Sequence, residues 1–410
     1  MTAKELIERI EDKLNAKVIV GTFHSIGKDI LFKGKHPNQP SEFVDQEEKL
    51  LAFMKRILDE CLKINNFTNL YEKYFREYEV RNIDEIRDFK SEREYANWVR
   101  QNDLLTLQNE KVKSHGELLI ANFLFANNVN YKYEPDYLAN NSMPIDFRYK
   151  PDFYLPDYKI YIEYFGIDED GETAPFVPND KYKEDMKWKF QTHKEGNTKL
   201  IDLYFYQKKD GALINKLREE LISNKVSLSP IDKNKLYEQI NSTGKDKKFL
   251  RLVIDFLSQY KEKQRVQSLD KFYSAAGEDE RTLLFLRIFE TILYRYQDEL
   301  NKNRKIDFGD MISNSANLIS QNNVILDYKY IIIDEFQDIS DGRYNLVSEM
   351  LYQSQETKLF CVGDDWQAIY RFAGSDHKIM TNFESMFGLS TILKLDETFR
   401  YNNSIAHISE

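Results

Sequence analysis

The sequence predicts an α/β protein: an incomplete, doubly wound parallel sheet, interrupted by helical segments and by a second α/β unit. Three observations lead there. Four short runs rich in Ile, Val and Leu each stop abruptly at polar residues, as buried parallel strands do. Helical stretches separate the last three runs, a βαβ rhythm. About 300 residues between the first run and the other three follow different periodicities.

Composition narrows the class. The 410 residues include 15 glycines and 9 prolines, about half the usual combined share of ~12%. That scarcity excludes a collagen-like or linker-dominated chain and favours long helices. At roughly 150 residues per domain, the length suits two or three domains with cores that need no disulfide or metal staple. Lys and Arg number 58 against 68 Asp and Glu, a net charge of −10, which excludes a uniformly basic nucleic-acid coat protein. Cys61 and Cys361 are too few for a disulfide framework and lie in no metal-binding spacing. No apolar run approaches the ~18 residues of a membrane span. Residues 1–17 alternate charges at helical spacing and lack a signal-peptide core. A soluble, cytoplasmic, helix-rich protein is expected, with no membrane partner.

The first run is Val18-Ile19-Val20, before Gly21-Thr22-Phe23-His24. Residues 50–98 are charged and aromatic at helical spacing and predict a helical pair or bundle. Residues 114–210 predict a compact α/β unit: a helix over 117–127, then strands near 131–133, 152–155, 159–165 and 199–206. Helix returns over 213–300. Residues 181–270 hold 20 Lys and Arg against 13 Asp and Glu. Such a basic stretch can track a phosphate backbone, or it is simply a solvated helical surface. The other three runs are 330–333 before Asp334-Glu335, 359–362 before Gly363-Asp364-Asp365, and 392–395 before Asp396-Glu397-Thr398. Helices are expected over 342–352 and around 383–386. Ligands of such sheets bind beyond the carboxyl ends of the strands, where these polar clusters fall.

Two of the clusters carry chemistry. Nucleotide hydrolysis needs one carboxylate at a strand end to hold Mg²⁺ and another to orient the attacking water. Asp334 and Glu335 stand at such an end, although adjacent carboxylates there also suit an ordinary helix N-terminus. Past the neighbouring strand, Gln367 supplies an amide, and Tyr370, Arg371 and Phe372 supply aromatic and basic groups. Such groups can sense a γ-phosphate while stacking a base.

These segments closely resemble the UvrD/Rep-like superfamily 1 DNA helicases, and within them the helicase IV-like branch. Asp334, Glu335, Gln337 and Asp338 form a DExQD box like the family's motif II. Residues 363–374 resemble motif III, and Thr398-Phe399-Arg400 resembles motif IV. Thr22-Phe23-His24 is similar to the family's TxH motif, and residues 307–311 to its DFxDL segment. The resemblance covers about 1–30 and 280–410, and implies a RecA-like P-loop NTPase sheet with ATP and Mg²⁺ as cofactors. Asp334 would hold Mg²⁺, with Gln337 and Asp338 also at the nucleotide. Glu335 would activate water, Gln367 would couple the γ-phosphate to DNA, and Arg400 would act as an arginine finger. Thr22, Phe23, His24, Tyr370, Arg371 and Phe372 would face a single strand of DNA, with core packing the alternative for each aromatic. Phe372 replaces the family's more usual Trp.

A phosphate cradle GxxxxGK[ST] is missing from the sequence. The three Gly-Lys pairs, at 27–28, 34–35 and 244–245, are followed by Asp29, His36 and Asp246. The positions for the first glycine hold Thr22, Asp29 and Gln239. The chain also stops just past motif IV, where the family continues into a second motor domain. The expectation is an internal piece of a helicase: a partial reading frame, an engineered piece or half of a split protein. The P-loop segment and second motor domain would then be supplied in cis or by another chain.

Residues 114–210 carry a second constellation. Residues 152–155 and 159–165 flank Pro156-Asp157-Tyr158, a hairpin signal. A turn centred on Asp157-Tyr158 puts Asp152 directly opposite Glu163. Facing carboxylates are unfavourable unless something positive lies between them, and Mg²⁺ accepts that geometry. Glu117 opens the preceding helix, where Ser114 and Glu117 also read as a plain capping box. This helix, Asp152, Glu163 and the later strand together resemble the PD-(D/E)xK nuclease fold, near its Vsr-like branch. The resemblance implies metal ligands Glu117, Asp152 and Glu163. Phe165 stands where the motif's Lys is expected, and Lys187 is a substitute charge stabiliser from the following helix.

The implied division is 1–30 motor, 31–113 a helical 1B-like region, 114–210 a restriction-endonuclease-like insertion, 211–300 helical, and 301–410 the rest of the motor. The leading expectation is a fragment of an ATP-dependent DNA helicase of the DNA-repair type, moving 3′–5′ on single strands by family analogy. By itself it should be inactive as an ATPase. The alternative is a metal-dependent DNA nuclease or DNA-binding module with a relic motor; a third is a non-catalytic scaffold.

Overall fold

A computed structural model describes residues 18–41, 46–79, 89–102, 104–138, 149–263, 268–364 and 377–394, with Ile7, Asp12 and Lys13 besides. The chain forms two compact units. The first comprises residues 1–53, 253–275 and 295–410; the second comprises 54–252 and 276–294. The helical stretches expected on either side of 114–210 thus fall largely in one unit with it. No helix among the described residues is long and apolar enough to cross a membrane.

Along the chain, α1 (Phe23–Lys33) is capped by Thr22, whose hydroxyl accepts the Ser25 N–H at 3.2 Å. It buries Gly27, Ile30 and Leu31 on one face. After β1 (Gln39–Pro40), α2 (Glu47–Cys61) buries Met54, Ile57, Leu58 and Cys61 at helical spacing. Next come α3 (Asn65–Lys73), running on into a π-helical turn, and α4 (Glu92–Asn102). In the second unit Tyr71, Tyr74 and Phe75 pack on Phe249 with ring centres 5.1–5.6 Å apart.

The α/β part of the second unit follows the predicted order. Helix α5 (His115–Ala126) is apolar nearly all round and buried. Strands β2 (Lys132–Tyr133), β3 (Phe153–Leu155) and β4 (Ile160–Phe165) form an antiparallel meander. Helix α6 (Asn179–Glu195) then leads to β5 (Lys199–Tyr204), parallel to β4. After the short α7 (Phe205–Lys209), α8 (Leu213–Ser223) completes the layer. Ile120 and Leu124, Phe153 and Leu155, Ile160 and Ile162, Ile201 and Leu203, and Leu217 share one core.

Helices α9 (Lys233–Ser242), α10 (Lys245–Lys263), α11 (Leu269–Ala276) and α12 (Glu280–Lys302) follow, then β6 (Lys305–Ile306), which pairs in parallel with β1. Helix α13 (Phe308–Ser320) precedes β7 (Tyr330–Ile333), α14 (Asp341–Gln353) and β8 (Lys358–Cys361). Two short helices close the described chain, α15 (His377–Thr381) and α16 (Phe383–Phe387). Strands β7 and β8 pair in parallel, as the βαβ rhythm predicts.

Among the described residues, two of the four expected strands do not form. Residues 18–20 and 392–394 form no strand and pair with nothing among the described residues; Leu395 lies outside them. A strand exists only through its ladder, and β7–β8 is a ladder of two. One face of it packs on helices through Ile331 and Ile333. The other is bare: Tyr330 is 70% exposed, Ile332 71% and Phe360 57%.

Candidate functional site

The carboxyl end of β7 is built around a strained residue. Glu335 adopts φ 51° and ψ 45°, the left-handed region, which costs roughly 1–2 kcal/mol for a side chain with a Cβ. The surrounding structure holds it there. Phe336 is buried against Phe383 and Phe387, and its N–H donates to Val362 O at 2.9 Å. The buried Gln337 amide donates to Glu335 Oε2 at 2.6 Å and accepts from the Asp364 N–H at 3.0 Å. One side chain therefore ties the ends of β7 and β8 together. Gly363 permits this approach, because a Cβ there would stand 2.6 Å from Gln337 Oε1 and 3.0 Å from its backbone nitrogen.

Asp334 and Glu335 are themselves exposed. Asp334 Oδ1 accepts the Glu335 N–H at 3.0 Å. Asp338 Oδ1 is buried without a partner. Burial, then the Glu335 charge, raises the Asp338 carboxyl above its ordinary range, and Arg343 offsets part of this. Arg343 donates to Asp338 O at 3.2 Å and lies over the Phe23 ring at 5.8 Å.

Thr22 is engaged as the α1 cap, and Phe23 is half-buried against two apolar clusters of the first unit, the packing alternative for that residue. The His24 ring sits 4.1 Å from that of Phe308. Gln367, Tyr370, Arg371, Phe372 and Arg400 lie outside the described residues.

Asp307 and Asp310, from the DFxDL-like segment, form a network that the sequence did not reveal. Asp307 caps α13, and the almost fully buried Lys261 bridges both carboxylates at 3.0 and 2.7 Å. Tyr296 donates to Asp307 at 2.9 Å, and Gln297 accepts from Lys261 at 2.7 Å. Burial alone would lower the Lys261 pKa, but the two aspartates outweigh it and raise it.

In the second unit the hairpin register is Phe153↔Ile162, Tyr154↔Tyr161 and Leu155↔Ile160. Continued by one residue, it sets Asp152 opposite Glu163, with the turn centred on Asp157-Tyr158. Asp152 Oδ2 accepts the Tyr164 N–H at 2.7 Å. Burial, then Glu163 and Glu117, holds the Asp152 carboxyl well above the usual carboxylate range. The fully buried Glu163 accepts from Tyr149 at 2.6 Å and is ion-paired with Lys189. Tyr149 also meets His193, whose other ring nitrogen meets Thr198 at 2.8 Å. Burial, helped by Lys189, pushes His193 down to about 4, so the imidazole is neutral. Both contacts are satisfied if Nε2 donates to Tyr149 and Nδ1 accepts from Thr198.

Two of the expected arrangements differ from the placement seen here. The lysine that reaches Glu163 is Lys189, while Lys187 is exposed. Lys189 shares a helical face with the buried Thr192 and His193, at i+3 and i+4, and that period was the overlooked signal. Nor do Glu117, Asp152 and Glu163 make a joint metal cage. No three His, Cys, Asp or Glu side chains come together as a metal site among the described residues. Glu117 is instead held by Tyr133 at 2.6 Å, Ser114 at 2.8 Å and the Lys113 N–H at 3.1 Å. Ser114 caps α5 as the capping-box alternative has it.

Known proteins share part of this sequence, and the family match runs through both units. DNA helicase IV of Escherichia coli K12 is 36% identical over 138 residues, 33% of this chain and 20% of that protein. DNA helicase II of Rickettsia typhi is 34% identical over 132 residues, 31% of this chain and 20% of that protein. The ATP-dependent DNA helicase PcrA of Staphylococcus aureus Mu50 is 30% identical over 136 residues, 32% of this chain and 18% of that protein. The matched stretch thus spans a fifth or less of each relative's length. The UvrD/REP helicase N-terminal domain family matches residues 167–388. That is more than half of the chain, and the chain belongs to the UvrD/REP helicase N-terminal domain family.

Proposed function

We propose that the first unit is part of an ATP-driven DNA helicase motor working with Mg²⁺ and single-stranded DNA. The observation that carries this is the strained Glu335, exposed at the end of β7 and clamped by Gln337. Backbone strain that persists under such bracing supports a functional role. Asp334 fits Mg²⁺, since one carboxylate oxygen plus substrate phosphates is a common way of holding that ion. When bound, the ion would neutralise charge on the phosphates. Glu335 would accept the proton of the attacking water, and Gln337 would fix its rotamer. Gln367 and Arg400 are assigned γ-phosphate sensing and transition-state stabilisation on motif position alone. The same holds for DNA contact by His24, Tyr370, Arg371 and Phe372.

The bare face of β7–β8 supports a motor completed from outside these residues. Parallel sheets are covered on both faces, and a P-loop-bearing segment, in cis or from another chain, would cover this one. The chain alone should then hydrolyse ATP no faster than buffer. Joined to that segment and a second motor domain, it should show DNA-stimulated turnover. Glu335→Gln in the joined protein should lower turnover by at least 100-fold while sparing ATP binding. Near-normal turnover would remove Glu335 from the role of base.

A second reading concerns the second unit. Its order of helix, three antiparallel strands, helix and parallel strand supports the nuclease-like resemblance. Its carboxylates are held by Tyr149, Lys189, Tyr133 and Ser114 and do not fit a three-ligand metal site. We therefore assign it DNA gripping rather than metal-dependent cleavage.

A further inference from the structure

Beside the carboxylates of the second unit lies a pocket of about 250 Å³ with aromatic walls. Phe89, Tyr95 and Trp98 form one cluster, with ring centres 5.4–6.4 Å apart. Tyr164, Tyr182 and Phe205 contribute the other rings. The Tyr164 hydroxyl is buried and has no hydrogen-bond partner. A buried hydroxyl left unpaired is costly, so a ligand that pairs with it is favoured. Its ring is fixed by close packing on the first turn of α5, where a Cβ at Gly116 would stand 2.2 Å from it. Tyr182 accepts the Gly166 N–H at 2.8 Å, which leaves its own proton to donate. Lys113, ion-paired with Glu134 and with its side chain 72% exposed, is also among the lining residues.

We propose that this pocket takes one unstacked nucleobase of a DNA single strand. The ring would stack among the aromatics, with an edge on the Tyr164 hydroxyl and the adjoining phosphate at Lys113. The volume lies just under the roughly 300–1,000 Å³ of pockets for drug-sized ligands, which suits a base and is small for a folded peptide segment. Aromatic rather than aliphatic walls favour a planar π-system over an acyl chain, and base stacking is tolerant of sequence. This rests on DNA being a partner of the chain, but not on ATP hydrolysis or on cleavage.

The test uses the full 410-residue chain without nucleotide or metal, titrated against two labelled strands of equal length. One is oligothymidylate; the other is made wholly of abasic units. The base-bearing strand should bind on the order of tenfold more tightly. Trp98→Ala should abolish that preference, and Tyr164→Phe, which keeps the ring and the fold, should reduce it severalfold. Equal binding of both strands by the native chain would overturn the pocket and leave DNA binding standing. A preference undiminished in Tyr164→Phe, and in Trp98→Ala where its melting curve is native, would place base recognition elsewhere and overturn it too. Binding of neither strand would remove DNA as the partner altogether.

Discussion

At the scale of single residues, the carboxylates of the two units are handled in opposite ways. Glu335 is pushed into solvent on a strained backbone and braced by one amide, whereas Asp152 is taken out of water beside two like charges. The second arrangement has a pH signature. A carboxyl whose folded pKa is raised binds its proton more tightly folded than unfolded. Its penalty on stability is therefore absent below the unfolded pKa and grows as pH rises towards the folded pKa. Asp152→Asn, whose amide oxygen can still accept the Tyr164 N–H, should raise the melting temperature at pH 7–8 and leave it unchanged near pH 3.5. The rise should be a few degrees, at about 2–4 °C for each kcal/mol in a unit of this size. A lower melting temperature at pH 7 would mean that Asp152 works as an anion against Lys189. Should Mn²⁺ stabilise the native chain and not the variant, the metal reading would return.

Among the elements, α13 depends most on polar anchoring. Its cap, Asp307, and its first-turn Asp310 share the buried Lys261 of α10, with Tyr296 and Gln297 of α12 completing the network. Removing one partner of a buried ion pair is far more damaging than never having built it, because the other charge is left uncompensated. Lys261→Met should cost about 3–5 kcal/mol in urea unfolding followed in the first unit. A loss below about 1 kcal/mol would mean that water or Gln297 takes over from the ammonium. The β3–β4 hairpin, by contrast, was legible in the sequence. Its turn residues and alternating apolar positions are local, so the register follows from counting outward from Asp157-Tyr158. The choice between Lys187 and Lys189 was equally local in principle, since helical period alone separates the exposed residue from the one facing β4.

At the scale of the whole molecule, the exposed face of β7–β8 is the feature most at odds with a self-sufficient fold. Ile332 and Phe360 project from it into solvent. In the 410-residue chain, Ile332→Ser should change stability by no more than about 0.5 kcal/mol, as surface substitutions do. It should also reduce self-association seen by light scattering. In a protein where another segment covers this face, the same change should cost about 2–4 kcal/mol, as for a buried aliphatic residue. Equal effects in both contexts would mean that nothing docks there.

By itself the sequence determined what short-range chemistry controls: the capping role of Ser114, the order of elements through 114–210, and the polar clusters that end β7 and β8. It also carried the family, because the DExQD box and the segment after β8 are contiguous strings. Only the tertiary structure decided which apolar runs become strands. Residues 18–20, Val-Ile-Val, are β-branched and apolar like Ile331-Ile332-Ile333, yet among the described residues they have no ladder neighbour and form no strand. The same limit applies to Phe23, which packs inward under Arg343, 320 positions along. It applies as well to the aromatic pocket, whose walls come from residues 89–98, 164–182 and 205. Strand pairing and side-chain burial depend on partners distant in sequence, so local propensity states a preference there and long-range packing makes the choice.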